Sequence, residues 1–306
     1  MDKEIKRAID EMTKVVKGKD HIVKKVLAAI LAKGHILLED IPGVGKTTLA
    51  MTISKTLDLK YKRMQFTPDV LPSDLIGFSM YNEQTREFEY RPGTVFCNLF
   101  LADEINRTSP KTQSALLEVM EEGRASVDGV THELPNPFIV IATQNPAGSS
   151  GTQMLPDSQL DRFMICLSMG YPSHEAAVDI LRGYAGKPKE ECETILTEQR
   201  LRTLQQETEE VYVSEEMLEY LVTLSEKTRI SEQIKLGASP RGTISLLKMS
   251  KAIARMEGRD FVAPEDTAAI FTDVLAHRMV RSAAARMGQF STAEILEQIF
   301  QEAKQP

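Results

Sequence analysis

The 306-residue sequence predicts an α/β core with a parallel sheet flanked by helices, followed by an all-α domain. Apolar runs at 36–38, 99–102 and 138–143 have the length and composition of buried parallel strands, and polar residues follow each run. The composition changes after Tyr171-Pro172, where segments with helical periodicity take over. We therefore predict an α/β core over residues 1–171 and a helical lid domain over residues 172–306.

The overall composition is that of an ordinary globular protein, with 42% apolar and 26% charged residues. The net charge of −7 provides no general attraction to nucleic acid or to anionic lipid. Cys97, Cys166 and Cys192 lack the spacing of metal ligands, which favours unpaired thiols in a reducing compartment. Neither a bilayer-spanning apolar run nor a secretory signal is visible. We expect a cytoplasmic protein that does not bind membranes, and the charge argues against a nucleic-acid partner.

Two amphipathic helices are predicted at the start of the chain, over residues 4–16 and 21–33. The segment Val16-Lys17-Gly18-Lys19 joins them and lies just ahead of the first core strand. Core packing is one explanation for Val16 and Gly18, and contact with a bound ligand is the other.

Residues 36–49 read I-L-L-E-D-I-P-G-V-G-K-T-T-L, which predicts a strand, a glycine turn and a helix in that order. The turn's glycines permit backbone angles that point successive N–H groups inward, and the positive end of the helix dipole faces the same point. The lysine can then reach the β- and γ-phosphates of a nucleotide, and the threonine hydroxyl can bind Mg²⁺. We predict a P-loop NTPase core whose nucleotide contacts are Pro42, Gly43, Val44, Gly45, Lys46, Thr47 and Thr48. The adenine ring of the nucleotide could rest against Val16 and Gly18, although core packing explains these two residues equally well.

One position departs from the usual pattern G-x-x-x-x-G-K-[ST], because Asp40 stands where that pattern has its first glycine. A Gly-Pro turn before an ordinary helix is the alternative interpretation. The phosphate-binding interpretation is favoured, because the residues that make the contacts are present between a strand and a helix.

Two β-hairpins are predicted as insertions ahead of core strands. The first lies within residues 76–96, where apolar and polar residues alternate around a polar turn at 82–86. The second lies within residues 125–134, where Asp128-Gly129 is a strong signal for a two-residue turn.

Polar side chains follow two of the core strands. Asp103 and Glu104 end the run at 99–102, and Asn145 follows the run at 138–143. Asp103 is predicted to hold Mg²⁺ through its water shell, and Glu104 to orient or deprotonate the attacking water. Asn145 would face the γ-phosphate or that water. An acidic surface turn and a simple Asn-Pro turn are the structural alternatives.

Ser239-Pro240-Arg241 opens a predicted helix in the second domain. A cation in the first turn opposes the helix dipole by about 0.3–1 kcal/mol, and a bound anion would reverse that effect. Arg241 is therefore a candidate phosphate contact, the alternative being a side chain that bends into solvent.

Five motifs in this order, P-G-V-G-K-T, L-F-L-A-D-E-I-N-R, I-A-T-Q-N-P, L-D-R-F and S-P-R-G, make the sequence resemble the MoxR family of AAA+ ATPases. The likeness runs from about Met12 to Arg281, and the stretch D-E-I-N-R-T-S-P-K-T-Q-S-A-L-L-E-V-M-E-E is specific for MoxR proteins. The two predicted hairpins match insertions of the wider clade, which includes magnesium-chelatase subunits and MCM helicases.

The resemblance implies a role for each matching residue. Lys46 and Thr47 correspond to Walker A, Asp103 and Glu104 to Walker B, and Asn145 to sensor 1. Among the arginines, Arg162 is implied as a finger that reaches a neighbouring subunit's nucleotide, Arg241 as sensor 2, and Arg107 as a residue facing the subunit interface whose role stays open.

The family also implies the assembly and the cofactors. ATP and Mg²⁺ are expected to bind between subunits of a homo-oligomeric ring, usually a hexamer. MoxR proteins are thought to act as chaperones that remodel or mature protein complexes, often with partners that contain von Willebrand factor A domains. The sequence identifies no client.

Three other functions are alternatives. A DNA-directed motor is disfavoured because the hairpin tips at 82–86 and 127–132 carry one arginine between them, together with acids. An ATP-gated scaffold without turnover would not need Glu104, Asn145 and Arg162 together. A magnesium-chelatase-like ATPase subunit would need tetrapyrrole partners that the sequence cannot reveal.

Overall fold

The computed structural model describes residues 1–41, 43–145, 154–184 and 191–304. The strands of the described residues are β1 (Ile36–Glu39), β2 (Tyr61–Gln65), β3 (Gly77–Asn82), β4 (Glu87–Pro92), β5 (Leu99–Asp103), β6 (Arg124–Val127), β7 (Val130–Glu133), β8 (Ile139–Gln144), β9 (Ile165–Leu167), β10 (Ile234–Leu236) and β11 (Val280–Arg281). The α-helices are α1 (Lys3–Val15), α2 (Asp20–Leu31), α3 (Lys46–Thr56), α4 (Pro72–Ile76), α5 (Pro110–Glu122), α6 (Asp157–Leu160), α7 (His174–Tyr184), α8 (Glu198–Glu209), α9 (Glu215–Ile230), α10 (Pro240–Met256), α11 (Pro264–Ala268), α12 (Phe271–Leu275), α13 (Ala283–Met287) and α14 (Thr292–Glu302).

The centre of the fold is a five-stranded sheet with strand order β2-β5-β8-β1-β9, and all neighbouring strands are parallel. Strands β5 and β8 are buried along their whole length, which explains why they read as continuous apolar runs rather than alternating ones. The register pairs Leu37 with Ala142 and Leu101 with Ile141, so the carboxyl ends of β1, β5 and β8 meet at one edge. The predicted parallel sheet is confirmed.

Both predicted hairpins are present. Strands β3 and β4 pair antiparallel ahead of β5, and strands β6 and β7 pair antiparallel ahead of β8. The second hairpin turns at Asp128 and Gly129, whose φ angles of 52° and 79° suit a tight two-residue turn. The Tyr90 ring of the first hairpin stacks on the His132 ring of the second at 3.7 Å, so the insertions contact each other.

The second domain is a helical lid, as predicted, and it also contains a short antiparallel pair of strands, β10 and β11. One apolar cluster runs from α1 and α2 through one face of the sheet into the lid helices. The predicted boundary between residues 171 and 172 falls between β9 and α7 and stays a prediction. Cys97, Cys166 and Cys192 are free thiols. None of the helices in the described ranges has both the length and the apolar character that crossing a bilayer requires.

Arg278 joins the lid to the core through buried polar contacts. It lies in the 3₁₀ helix Ala276–Arg278, and only 2% of its side chain is exposed. Its guanidinium donates to Asp161 Oδ1 at 2.8 Å and to the carbonyl oxygens of Phe163 at 2.6 Å and Met164 at 3.2 Å. These acceptors immediately precede β9, so Arg278 connects the lid to an edge strand of the sheet.

Replacing Arg278 with methionine should lower the free energy of unfolding by about 3–5 kcal/mol, because buried acceptors lose their donor. Urea denaturation measures this loss. Arg281→Met is the control, since Arg281 on β11 makes an exposed bond to the Phe290 carbonyl. That control should lose no more than about 1.5 kcal/mol. Equal losses in the two variants would show that the contacts of Arg278 between lid and core do not stabilise the fold.

Candidate active site at the carboxyl edge of the sheet

The P-loop connects the carboxyl end of β1 to the start of α3. Gly43 and Gly45 have φ angles of 87° and 99°, in the left-handed region that favours glycine. Helix α3 begins at Lys46, so its free N–H groups and the positive end of its dipole face the turn. Pro42 lies outside the described residues. Of the remaining predicted contacts, Val44 lies in the turn. Thr47 and Thr48 lie in the first turn of α3.

Lys46 is the cation of this site. Its side chain is buried, and its Nζ donates to the carbonyl oxygen of Asp40 at 2.9 Å. Burial lowers the pKa of Lys46, while the nearby carboxylates of Asp40, Asp103 and Glu104 act in the opposite direction. A buried ammonium group beside carboxylates suits the binding of a phosphate that carries a divalent cation.

Asp103 ends strand β5 and is held by two donors. Its Oδ1 accepts from Thr143 Oγ1 at 2.7 Å, and its Oδ2 accepts from the Arg63 guanidinium at 2.7 Å. Together with the Thr47 hydroxyl, this carboxylate offers the hard oxygen ligands that Mg²⁺ prefers. No three His, Cys, Asp or Glu side chains of the described residues are grouped as a metal cage. That donor set fits Mg²⁺, which is commonly held by one or two carboxylates, phosphates and waters.

Glu104 follows Asp103 with a left-handed backbone, φ 58° and ψ 48°, which is rare for a residue other than glycine. Its Oε1 accepts from Asn145 Nδ2 at 3.1 Å, and its Oε2 accepts from Gln65 at 2.7 Å and Arg107 at 2.8 Å. Burial raises the pKa of this carboxyl, but the bonds from Arg107 and Asn145 outweigh burial and hold the pKa below its usual value. Glu104 is therefore ionised at neutral pH.

Asn145 is positioned by a second asparagine. Asn106 is fully buried, and its side-chain amide donates to the Asn145 carbonyl at 3.2 Å and accepts from the Asn145 N–H at 3.4 Å. Within the described residues, the buried Oδ1 of Asn145 has no hydrogen-bond partner. An acceptor left open beside a carboxylate suits the orientation of a water molecule.

Arg162 and Arg241, two of the predicted site residues, lie together away from the P-loop. Arg162 Nε is 3.4 Å from Glu121 Oε2, and Arg241 donates to Glu121 Oε1. Their side chains are 32% and 41% exposed, and that of Glu121 is 41% exposed. A cavity of about 560 Å³ adjoins Arg162 and Glu121. The two guanidinium groups thus share one carboxylate at the protein surface.

This arginine pair lies at the amino edge of the sheet. Arg162 precedes β9, a strand parallel to β1. Glu121 follows Met120, whose carbonyl lies 2.8 Å from Nε2 of His35, the residue before β1. Lys46 lies beyond the opposite end of β1, and four strand residues span about 10 Å. The structure therefore does not bring the arginines to the phosphate site of their own chain.

The segment at Val16 and Gly18 and the P-loop both lie near residues 169–176. Val16 is buried, and Gly18 has a φ angle of 68°. A Cβ at Gly18 would lie 3.0 Å from the Cβ of Ala176 on α7, and a Cβ at Gly45 would lie 3.8 Å from the methyl group of Met169. Gly45 therefore lies near the connection between β9 and α7, and Gly18 lies near the first turn of α7. The adenine contact stays a prediction.

Four residues that support the acids were not identified from the sequence: Arg63, Gln65, Asn106 and Thr143. Arg63 and Gln65 lie on β2, and Gln65 is in register with Asp103 only because β2 pairs with β5. Strand order cannot be read from apolar patterns, so no local signal marks Arg63 or Gln65. Asn106 could have been noticed as a polar residue directly after the acids.

Comparisons with known proteins agree with this geometry. Residues 35–165 match the model of the ATPase family associated with various cellular activities (AAA), and residues 226–299 match the AAA lid domain. The chain is 46% identical to an uncharacterized protein, YeaC, of Bacillus subtilis, over 98% of this chain and 94% of that one. Chaperone MoxR1 of Mycobacterium tuberculosis is 37% identical, over 99% of this chain and 82% of that one.

Protein MoxR of Methylorubrum extorquens is 31% identical, over 88% of this chain and 85% of that one. The crystal structure of a proposed ATPase from Cytophaga hutchinsonii superposes with a TM-score of 0.91 at 38% identity, covering 99% of this chain and 95% of that one. The P-loop, the paired acids at the carboxyl edge, the helical lid and these full-length similarities lead to one conclusion. The chain belongs to the MoxR family of AAA+ ATPases.

Proposed function

We propose that this ATPase hydrolyses Mg-ATP between neighbouring subunits of a ring, usually a hexamer, and acts as a chaperone that remodels or matures protein complexes. The placement of the charges carries the proposal. Lys46, Asp103 and Glu104 lie at the carboxyl edge of the sheet, whereas Arg162 and Arg241 lie exposed at the amino edge. A complete site then needs two copies of the chain, and members of this family generally oligomerise.

The nucleotide is held mainly by the P-loop. The N–H groups at the start of α3 cradle the phosphates, and Lys46 moves from the Asp40 carbonyl to the β- and γ-phosphates. Thr47 and Asp103 would hold the Mg²⁺ ion, which neutralises charge that develops on the phosphate oxygens. The adenine ring would lie at the segment containing Val16 and Gly18.

Glu104 and Asn145 orient the attacking water, and Glu104 accepts its proton. The water oxygen attacks the γ-phosphorus, the bond from phosphorus to the bridging oxygen breaks, and ADP leaves. The proton of the water passes to the Glu104 carboxylate, which the Arg107 and Asn145 bonds keep ionised. Asn145 Oδ1 accepts a hydrogen bond from the other O–H group of the water.

Arg162 and Arg241 act on the neighbouring subunit's nucleotide. A guanidinium delivered from the adjoining chain stabilises the negative charge of the transition state, so an isolated subunit hydrolyses slowly. Because both guanidinium groups are held by Glu121, they approach the neighbour as a unit.

The client is proposed to be a protein, with von Willebrand factor A domain proteins as one class. Exposed apolar side chains on the first hairpin suit a polypeptide surface better than a phosphate backbone: Phe78, Met80, Tyr81 and Phe88. One curated relative is itself named a chaperone.

Replacing Glu104 with glutamine should leave Mg-ATP binding within about threefold and lower kcat by about 10²–10⁴-fold, because the proton acceptor is lost. Steady-state phosphate release and equilibrium titration with ATP measure the two quantities. Glu219→Gln, on the exposed face of α9, should match the unmodified protein in both. Turnover close to that of the unmodified protein in Glu104→Gln would show that another group accepts the proton.

Mixing two inactive proteins, Arg162→Ala and Lys46→Ala, should restore activity, because an intact arginine from one chain can serve an intact P-loop of the other. With random exchange about a quarter of the interfaces are complete, so we expect up to about a quarter of full activity per subunit. The control mixes Lys46→Ala with Glu104→Gln, which damage the same half of the site and should show no recovery. Failure to recover while subunits exchange would contradict an arginine acting in trans.

Replacing Arg107 with glutamine should raise the pKa of Glu104, since the upward effect of burial remains and a guanidinium bond is lost. The base must be ionised, so the acidic limb of the kcat profile should move to higher pH while the plateau near pH 8 changes less. Single-turnover hydrolysis from pH 4.5 to 8.5 measures the limb, with exposed Lys248→Gln as the control. A uniform loss at every pH would instead assign Arg107 to the subunit interface.

A further inference from the structure

Two buried charges hold the chain where the core passes into the lid. Residues 168–171, here called the hinge segment, connect β9 to α7. Asp40 and Lys19 are 5% and 7% exposed, and each makes several hydrogen bonds to this segment. Neither residue has a role in the phosphate and water chemistry described above beyond the carbonyl contact of Asp40 with Lys46.

Asp40 binds the donors of the hinge segment. Its Oδ1 accepts from Ser168 Oγ at 2.9 Å and from the Gly170 N–H at 3.0 Å, and its Oδ2 accepts from the Met169 N–H at 2.5 Å. A carboxylate that receives three donors is well satisfied when buried. Glycine, which the usual P-loop pattern has at this position, can make none of these bonds.

Lys19 binds the acceptors of the same segment. Its Nζ donates to the carbonyl oxygens of Met169, Gly170 and Tyr171, the last two at 3.3 and 2.8 Å. The three ammonium protons thus match three carbonyls. The peptide N–H groups of the hinge segment donate to the Asp40 carboxylate, and its carbonyl groups accept from the Lys19 ammonium. These two opposite charges fix the orientation of the peptides.

Asp40 also touches the catalytic lysine. The carbonyl oxygen of Asp40 accepts from Lys46 Nζ at 2.9 Å, while the carboxylate of the same residue holds the hinge segment. If Lys46 turns toward a phosphate, it leaves this carbonyl, and the backbone of Asp40 loses a charged partner. A shift of that backbone moves a carboxylate bonded to two main-chain N–H groups of the hinge segment.

We propose that Asp40 is a positioning residue that couples occupancy of the P-loop to the hinge segment, and so to the lid, with Lys19 as the opposing anchor. This inference rests on the proposed function. Asp40, which stands where the P-loop pattern has glycine, then connects the nucleotide to the lid, and restoring glycine should damage the ATPase.

The test compares Asp40→Gly with Ser168→Ala and a matched control. Ser168→Ala removes one of the three bonds to Asp40 from an exposed residue and leaves the fold intact. Asp58→Gly is the control, because Asp58 is an exposed aspartate with a φ angle of 52° outside the hinge contacts. Hydrogen–deuterium exchange of the hinge segment is measured with and without Mg-ATPγS, together with the Kd for Mg-ATPγS and kcat for ATP.

In the unmodified protein and in Asp58→Gly, Mg-ATPγS should change hinge exchange by at least about threefold. In Asp40→Gly the hinge amides should exchange at least about tenfold faster without nucleotide, and Mg-ATPγS should have no further effect. Its Kd should stay within about threefold while kcat falls at least about tenfold, with Ser168→Ala intermediate in exchange and kcat. A Kd–kcat split of this kind is not expected from general loss of folding.

Three results would overturn the inference. A folded Asp40→Gly protein with unchanged kcat and a normal nucleotide response would show that Asp40 does not connect the nucleotide to the lid. An unmodified protein that hydrolyses ATP without any change in hinge exchange would overturn the coupling and leave the proposed function standing. An unmodified protein that neither binds nor hydrolyses ATP would overturn both.

Discussion

A parallel sheet has two chemically different edges, and this constraint organises the whole molecule. The carboxyl ends of β1, β5 and β8 deliver the P-loop, the paired acids and Asn145 to one place. The same directionality puts the residues before β9 and the end of α5 at the other edge, where Glu121 holds Arg162 and Arg241. The arginine pair and the phosphate site therefore do not meet within one chain.

The carboxyl edge is arranged so that each charge already has partners. Asp103 is bonded to Thr143 and Arg63, and Glu104 to Gln65, Arg107 and Asn145. Buried charges without partners are costly, and these bonds give both acids partners beside the P-loop. Electrostatic preorganisation of this kind spares the transition state the cost of reorienting its surroundings.

The sequence predicts the parts of this structure that depend on local chemistry. The core strands, both hairpins, the glycine turn and the helical lid follow from apolar periodicity and turn residues, and the structure confirms them. Contacts between distant segments could not be predicted. Gln65 reaches Glu104 only through strand order, Arg241 reaches Glu121 across 120 positions, and Asp40 reaches Gly170 across 130. Such contacts depend on tertiary packing, which a motif does not encode.

Division of the site between subunits is the central claim, and the dependence of specific ATPase activity on protein concentration tests it most directly. Activity per subunit should rise with concentration in parallel with the oligomer fraction, measured by sedimentation in the same buffer with Mg-ATP. A constant activity per subunit, down to concentrations at which sedimentation shows monomers alone, would contradict the claim. One chain would then contain a complete active site.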